Sequence, residues 1–238
     1  MQTSEALMVD SLPAASLLLA IDTCGPTGSV ALGRAAGDGV EILGQIELEG
    51  RSYSATLVAA VGQLLAQRGA ELRNLTAIVA TNGPGSFTGV RVGLSAVKGL
   101  AEAAGIPVIA VSRLEVLAAK AGLGWAALDA HRREVFLRLS RPDQEATEIL
   151  AGAAELAAVN PAGARIAVCD DAAAALLASA WPGAELVRTP PPTAADALHL
   201  CAPRVLAGEF ADLMLLDGHY LRRSDAEIFG EPGAPQRP

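Results

Sequence analysis

The order of strand-like and helix-like segments repeats along the chain, and this repetition restricts the fold more than any other feature. In each half, a hairpin and a third strand come first, and helices then alternate with strands. The strand-like segments of the first half are residues 17–23, 29–33, 40–48, 76–81 and 108–111, with helical spacing at 53–68 and 88–104. Those of the second half are residues 125–129, 134–140, 146–150, 165–169 and 184–187. A strand, helix, strand series implies parallel pairing, so we predict two similar α/β lobes that meet near residues 112–124.

Composition restricts the compartment and the class of ligand. Acidic residues outnumber basic ones 26 to 18, which gives a formal charge of -8, and aromatic residues make up 3%. Such a surface disfavours unaided contact with nucleic acid. The cysteines lie far apart without a CxxC pair and the histidines are isolated, so we expect a reducing, cytoplasmic setting and no metal site.

The sequence predicts irregular structure at both ends of the chain. It predicts no membrane-spanning segment. Residues 1–16 lack the basic start of a secretory signal and are predicted to be a disordered leader. Residues 230–238 are predicted to be a flexible tail. No uncharged apolar run approaches the roughly 20 residues that cross a bilayer, so no membrane contact is expected.

A glycine-rich loop joins the strand at residues 76–81 to the helix at 88–104, and two interpretations of it are open. The loop lacks the Gly-Lys pair of a Walker phosphate loop. Its glycines Gly83, Gly85 and Gly89 have the spacing GxGxxxG, which differs from the GxGxxG of dinucleotide-binding loops. The backbone amides at a helix start can still bind an anion. We favour a geometric function, in which the glycines permit a tight turn and close helix packing.

The first hairpin, DTCGPTGS at residues 22–29, resembles the hairpin that contacts ATP phosphates in actin-like ATPases. Those ATPases hold the other side of the nucleotide with a glycine-rich turn in the second lobe. Here the corresponding strand leads into Asp170 and Asp171 followed by alanines, and these carboxylates would repel phosphate. Adjacent acids at this position are more typical of a helix N-cap. The sequence therefore contains only half of a nucleotide clamp.

Two helices of the first half lack the charges that a solvent-exposed helix face normally carries. No charged side chain occurs between Ser52 and Gln67 or between Asn74 and Val90. Gly89 and Gly93 lie one helical turn apart, which would let a second helix approach closely. A larger internal sheet could cover these helices, but we favour an interface with another subunit.

Several motifs, spread over the chain from residue 19 onward, resemble those of a known family. They are NGPGSFTGVRVG at residues 82–93, KGLA at 98–101, LAIDT at 19–23, RSYS at 51–54, LDAHRREV at 128–135 and YLRRSDAE at 220–227. On these motifs, which occur in family order, the chain is identified as a member of the TsaB family, also called YeaZ. TsaB is a subunit of the bacterial machinery that makes threonylcarbamoyladenosine in tRNA. Many family members have histidine at the position of Tyr53.

The resemblance implies a two-lobed actin-like ATPase fold (ASKHA, RNase H-like), with duplicated mixed sheets flanked by helices. It places lobe 1 at residues 17–115 and lobe 2 at residues 116–210, and it returns residues 211–229 to lobe 1. It also implies a non-catalytic scaffold that binds and activates TsaD, which transfers the threonylcarbamoyl group to the adenosine next to the anticodon. ATP and metal are then expected on TsaD, and no cofactor is expected on this chain alone.

The resemblance also implies a set of partners. These are TsaD in a heterodimer, TsaE in a larger complex, a second copy of the chain when it is alone, and tRNA only through the complex. An alternative function is an ATP-binding phosphotransferase of the same actin-like fold, which the first hairpin favours.

The resemblance finally assigns interface residues. In the family, these two helices of the first half pack with the equivalent helices of TsaD into a four-helix bundle. The interface is therefore predicted to include Leu57, Val58, Val61, Leu64, Leu65, Val90, Leu94 and Val97. The family's motif loop comprises Gly83, Pro84, Gly85, Ser86, Phe87, Thr88, Gly89 and Arg91.

Overall fold

The computed structural model describes residues 16–37, 39–141 and 144–222, and the structural statements below refer to these residues. The predicted leader, apart from Ser16, and the predicted tail at 230–238 lie outside them, as does the part of the return segment beyond residue 222. None of the helices within these ranges is long and apolar enough to cross a membrane.

Five strands form the first sheet in the order β3-β2-β1-β4-β5. They are β1 (Leu17–Asp22), β2 (Thr27–Ala36), β3 (Gly39–Glu49), β4 (Leu75–Thr81) and β5 (Val108–Val111). The central strand β1 pairs in parallel with β4, and β4 pairs in parallel with β5. The hairpin strand β2 is antiparallel to both β1 and β3, so the sheet is mixed.

The second sheet repeats the same arrangement. Its strands are β6 (Trp125–Asp129), β7 (Val135–Leu139), β8 (Thr147–Ala151), β9 (Arg165–Val168) and β10 (Glu185–Arg188). They lie in the order β10-β9-β6-β7-β8, which read backwards matches the first sheet strand for strand. The predicted duplication of a hairpin, a third strand and then parallel strands is therefore confirmed.

Helices cover both faces of each sheet. On the first sheet, α1 (Tyr53–Ala66) and α2 (Phe87–Ala104) pack on one face and α6 (Ala194–Leu206) packs on the other. On the second sheet, α4 (Ala153–Ala158) and α5 (Asp171–Ala180) pack on one face. The helix α3 (Arg113–Lys120) follows β5 directly and packs on the other face of the second sheet, so it joins the two lobes.

The position of α6 differs from the predicted boundary, which assigned residues up to 210 to the second lobe. Leu198 and Cys201 of α6 are fully buried against β1, β2, β4 and β5 of the first sheet. The first sheet needs a cover on the face that α1 and α2 leave open, and α6 supplies it after the chain has completed the second sheet. The chain therefore returns to the first lobe with α6, which begins at Ala194, whereas the return was predicted from residue 211.

Candidate functional site

Most of the predicted interface residues are buried inside the chain, and this corrects the prediction. Leu57, Val61, Leu64, Leu65, Val90, Leu94 and Val97 are each no more than 6% exposed and belong to the core between the helices and the first sheet. Only Val58 of the predicted set is exposed, at 58%. The error has a physical cause, because the most apolar stripe of each helix packs on the sheet of its own lobe.

The outward face of α1 and α2 is nevertheless unusual. On α1 it consists of Ser54, Ala55, Val58, Ala59, Gly62, Gln63 and Ala66, and none of these side chains is charged. On α2 the exposed positions include Thr88, Arg91, Ser95, Gly99, Glu102 and Ala103. We call these residues the α1–α2 face. A Cβ added at Gly62 or Gly99 would meet no atom within 4 Å, so both backbones are open to close approach from outside.

The glycines at the start of α2 serve the fold of the chain itself. A Cβ at Gly89 would collide with the carbonyl oxygen of Thr23, and a Cβ at Gly93 would collide with the hydroxyl of Thr23. The Thr23 hydroxyl in turn donates a 2.7 Å hydrogen bond to the carbonyl of Gly89. The segment that approaches these two glycines is therefore the residue directly after β1, and the predicted approach of a second helix at this point is wrong.

The motif loop packs against the first hairpin. Its residues Gly83, Pro84 and Gly89 are buried, while Gly85, Ser86, Phe87, Thr88 and Arg91 are exposed. The amide of Ser86 donates to the carbonyl of Cys24 at 2.7 Å, and the Ser86 hydroxyl caps α2 by accepting from the Gly89 amide at 3.2 Å. At the exposed end of the loop, the Arg91 guanidinium lies 3.7 Å from the centre of the Phe87 ring. The ring of Tyr220, from the C-terminal segment, lies 5.3 Å from the Phe87 ring.

A buried ion pair lies at the base of the first hairpin. The Arg113 Nε donates to Asp22 Oδ2 at 3.1 Å, and the two side chains are 6% and 2% exposed. The second carboxylate oxygen, Asp22 Oδ1, accepts from the Cys24 amide at 2.8 Å. Burial alone would lower the pKa of Arg113, but the attraction of Asp22 outweighs it and raises the pKa overall. Arg113 therefore stays positively charged beside the first hairpin, with the Asp22 carboxylate as its counter-charge.

The side chain of Tyr53 closes the same hairpin from the other side. Its hydroxyl donates to the carbonyl of Gly25 at 2.8 Å. A Cβ at Gly28 would lie 2.8 Å from the Tyr53 ring, and one at Gly25 would collide with the guanidinium of Arg113. Burial, together with the nearby Asp22 carboxylate, raises the pKa of Tyr53 to about 12, so the phenol is neutral. Two side chains of the chain itself thus occupy the space over the hairpin.

Cys24 is not arranged as a nucleophile. Burial and the Asp22 carboxylate raise the pKa of the Cys24 thiol well above its usual range, so the thiol stays protonated. Its Sγ donates to the Thr81 carbonyl at 3.3 Å. Within the ranges that the structure covers, no group of three or more His, Cys, Asp or Glu side chains is placed to hold a metal ion.

The acidic turn after β9 has the predicted capping function. Asp170 Oδ1 accepts from the Ala173 amide at 2.6 Å at the start of α5, and its other oxygen accepts from the Asp129 amide at 3.0 Å. The carboxylate of Asp171 is 98% exposed and pairs with Arg188 at 2.7 Å. Both acidic groups therefore have structural partners.

A cavity of about 260 Å³ lies between the lobes, lined by Asn82, Ala110, Ser112, Arg138, Ala146, Glu148 and His219. Its central group is the Glu148 carboxylate, which accepts from Ser112 at 2.6 Å and from Arg138 at 2.7 Å. His219 Nε2 lies 2.9 Å from the same carboxylate, without the alignment of a hydrogen bond. Burial alone would raise the pKa of Glu148, but His219, Ser112 and Arg138 lower it overall. Glu148 was not recognised in the sequence, because its partners in other elements are distant along the chain.

About half of the chain is similar in sequence to known proteins. The family model described as TsaD, tRNA N6-adenosine threonylcarbamoyltransferase, matches residues 43–164, about half of the chain. The tRNA threonylcarbamoyladenosine biosynthesis protein TsaB of Escherichia coli (strain K12) is 37% identical over 128 residues, which cover 50% of this chain and 52% of the relative. TsaB of Bacillus subtilis (strain 168) is 38% identical over 126 residues, or 51% of this chain and 54% of the relative. The chain therefore spans about half the length of the curated relatives it matches.

Solved structures extend the likeness over most of the chain. A crystal structure of an uncharacterized protein with similarity to peptidase YEAZ, from Pseudomonas aeruginosa, has a TM-score of 0.71 and 30% identity, and covers 87% of this chain and 100% of that chain. Component A of the (R)-2-hydroxyglutaryl-CoA dehydratase of Acidaminococcus fermentans has a TM-score of 0.50 at 12% identity and shares the fold alone. The predicted two-lobed actin-like architecture is confirmed, and the chain belongs to the TsaB (YeaZ) family.

Proposed function

We propose that the chain is a non-catalytic subunit of the machinery that makes threonylcarbamoyladenosine in tRNA, and that it binds and activates a TsaD-type transferase. The relatives from Escherichia coli and Bacillus subtilis are described as tRNA threonylcarbamoyladenosine biosynthesis proteins, which supports this class of function. The tRNA is held through the complex, since the chain has a net charge of -8.

The observation that carries the partner proposal is the α1–α2 face. A solvated helix normally carries charged side chains outward, whereas α1 presents none and exposes Val58 at 58%. Gly62 and Gly99 leave open space above both helices, which lets a pair of partner helices approach the backbone closely. The contact residues in this proposal are therefore the outward ones, and the buried stripe supports the helices from below. The same face provides a homodimer contact when the transferase is absent.

The proposal that the chain is not itself an enzyme rests on the first hairpin. Tyr53 donates to the Gly25 carbonyl and Arg113 pairs with Asp22, so these polar groups beside the hairpin already have partners within the chain. On the second-lobe side, Asp170 and Asp171 add negative charge. The residues around the hairpin do not fit ATP, so we assign ATP and metal to the transferase subunit.

An ATP-binding phosphotransferase remains the competing function, because the fold is actin-like and the first hairpin resembles the one that contacts ATP phosphates in actin-like ATPases. Calorimetric titration of the chain with ATP and magnesium separates the two. The scaffold predicts no saturable heat at micromolar concentrations, whereas saturable micromolar binding by the chain alone would favour the phosphotransferase.

Reconstitution of the transfer reaction tests the proposed function directly. Threonylcarbamoyl transfer to tRNA by a TsaD-type transferase is measured with and without the chain, together with the other components that the transferase requires. We expect transfer to depend on the chain and to be lost with Val58→Asp, which places a charge at the centre of the α1–α2 face. Ala157→Asp adds the same charge at an exposed position of α4 and is expected to support transfer. Equal transfer with and without the chain would overturn the proposal.

A further inference from the structure

A short segment after α6 presents large apolar side chains to solvent. In residues 209–217, Met214 is 87% exposed, Leu215 is 79% exposed and Phe210 is 40% exposed. Single exposed apolar residues are ordinary, but two adjacent large ones at nearly full exposure indicate a surface with a binding function. These residues belong neither to the α1–α2 face nor to the hairpin site.

The segment is anchored to the first lobe on both sides of the exposed pair. The Ala211 amide donates to the Val108 carbonyl at 2.8 Å at the free edge of the first sheet. Leu216 is 5% exposed and, together with the partly buried Leu213, packs into the core beneath α2. Leu213 and Leu216 therefore supply the apolar contacts that hold the segment on the first lobe, while Met214 and Leu215 stay exposed.

Hydrogen bonds shape the exposed pair into a turn. Asp212 Oδ1 accepts from the Met214 amide at 2.8 Å, and the Asp212 carbonyl accepts from the Leu215 amide at 3.2 Å. The turn holds Met214 and Leu215 outward between the two anchors. Because the turn is already ordered, binding of a partner there costs less conformational entropy than binding to a flexible segment would.

Negative charge surrounds this turn. Glu209, Asp212 and Asp217 are all exposed, and within the described ranges only Glu209 has a cationic partner, Arg204 at 3.5 Å. Two copies of the turn placed face to face would bring like charges together in a protein whose net charge is already -8. The same charge repels an anionic lipid surface. These charges favour a partner that carries basic residues around an apolar depression.

We propose that residues 209–217 form a docking surface for a different protein, whose contact region is an apolar depression bordered by Lys and Arg. Met214 and Leu215 enter the depression, and Asp212 and Asp217 face the basic border. This proposal does not rest on binding of the transferase to the α1–α2 face.

The probe is a synthetic helical hairpin whose two helices form a leucine-lined groove bordered by lysines, labelled and titrated with the full chain. We expect saturable binding that weakens with added salt. It should fall at least about 10-fold in the double variant Met214→Ser, Leu215→Ser, since both apolar side chains are removed from the contact. Met214→Ser alone provides a second variant if the double variant does not fold. Asp212→Asn with Asp217→Asn should reduce the salt dependence.

Matched controls separate this surface from the rest of the molecule. Val58→Ser removes an exposed apolar side chain of the α1–α2 face, and Asp171→Asn removes an exposed carboxylate of the second lobe; both should bind the probe as the parent does. Three results would overturn the proposal: equal binding by the double serine variant, self-association that the double variant abolishes, and binding that appears only after removal of residues 1–15. Self-association of this kind would make another copy of the chain the occupant of the surface. Binding that requires removal of residues 1–15 would make that amino-terminal segment the occupant.

Discussion

At the scale of single residues, the buried Asp22–Arg113 pair holds the base of the first hairpin. Both side chains are almost fully buried, and each relies on the other for its counter-charge. Such a pair need not stabilise the fold relative to apolar residues, but removal of one member leaves a buried, uncompensated charge. The pair therefore ties the start of α3 to the base of the first hairpin, and its loss should be visible in stability.

Asp22→Asn should destabilise the chain by about 3 kcal/mol, because Arg113 would remain buried and charged without its carboxylate. The free energy of unfolding from urea titration measures this change. Asp171→Asn is the control, since that carboxylate is 98% exposed and its pair with Arg188 should contribute little. A loss below about 1 kcal/mol in Asp22→Asn would show that Arg113 finds water or another partner.

Glu148 gives a dependence of stability on pH. Its pKa in the folded chain lies below the ordinary value of 4.5, so the folded state favours the ionised carboxylate. Stability from this group is therefore present above that ordinary value and is lost as the pH falls through the lower folded value. The difference in unfolding free energy between the parent and Glu148→Gln should be largest near neutral pH and should narrow in acid. A difference that widens as the pH falls would contradict the assigned direction.

Sequence reasoning identified Asp22 and the hairpin but not the residues that close it. Arg113 is 91 positions from Asp22 and Tyr53 is 28 positions from Gly25, so no local spacing marks either contact. Both side chains reach the hairpin because parallel strands bring the starts of α1 and α3 to one edge of the first sheet. Which residues meet at that edge depends on the order of the strands in the sheet, and local sequence patterns do not specify that order.

At the scale of elements, periodicity identified α1 and α2 but not their orientation. The buried positions of α1, such as Leu57 and Leu64, form one stripe, and the outward positions, such as Val58 and Gly62, form another. Because both stripes of α1 lack charge, the sequence does not show which stripe packs on the sheet and which faces out. The burial of each side chain in the folded chain identifies the two stripes.

Two glycines of α2 provide a matched test of that orientation. Gly99 has open space above it, so Gly99→Ala should stabilise the isolated chain by about 0.5–1 kcal/mol through helix propensity. Gly93 lies against the Thr23 hydroxyl, so Gly93→Ala should destabilise it by about 1–3 kcal/mol through overpacking. Thermal and urea unfolding of the two variants measure both changes. The assigned orientation fails if the order of the two stabilities is reversed.

At the scale of the whole molecule, duplication was the feature that the sequence specified best. The order of hairpin, third strand and parallel strands was visible in each half, and both sheets have the same strand order. The return of α6 to the first lobe was not visible, because a helix with buried alanines and leucines such as Ala197 and Leu198 fits either sheet equally well. Topology places it, since only the first sheet has an uncovered face at that point.

The affinity of the chain for a TsaD-type transferase tests whether the α1–α2 face is the partner interface. Parent, Val58→Asp and Ala157→Asp are titrated by calorimetry, after circular dichroism shows that all three are folded. We expect Ala157→Asp to bind as the parent does and Val58→Asp to bind at least about 30-fold more weakly, a loss of about 2 kcal/mol from a charge buried at the interface. Undiminished binding by Val58→Asp would contradict the assignment of the α1–α2 face.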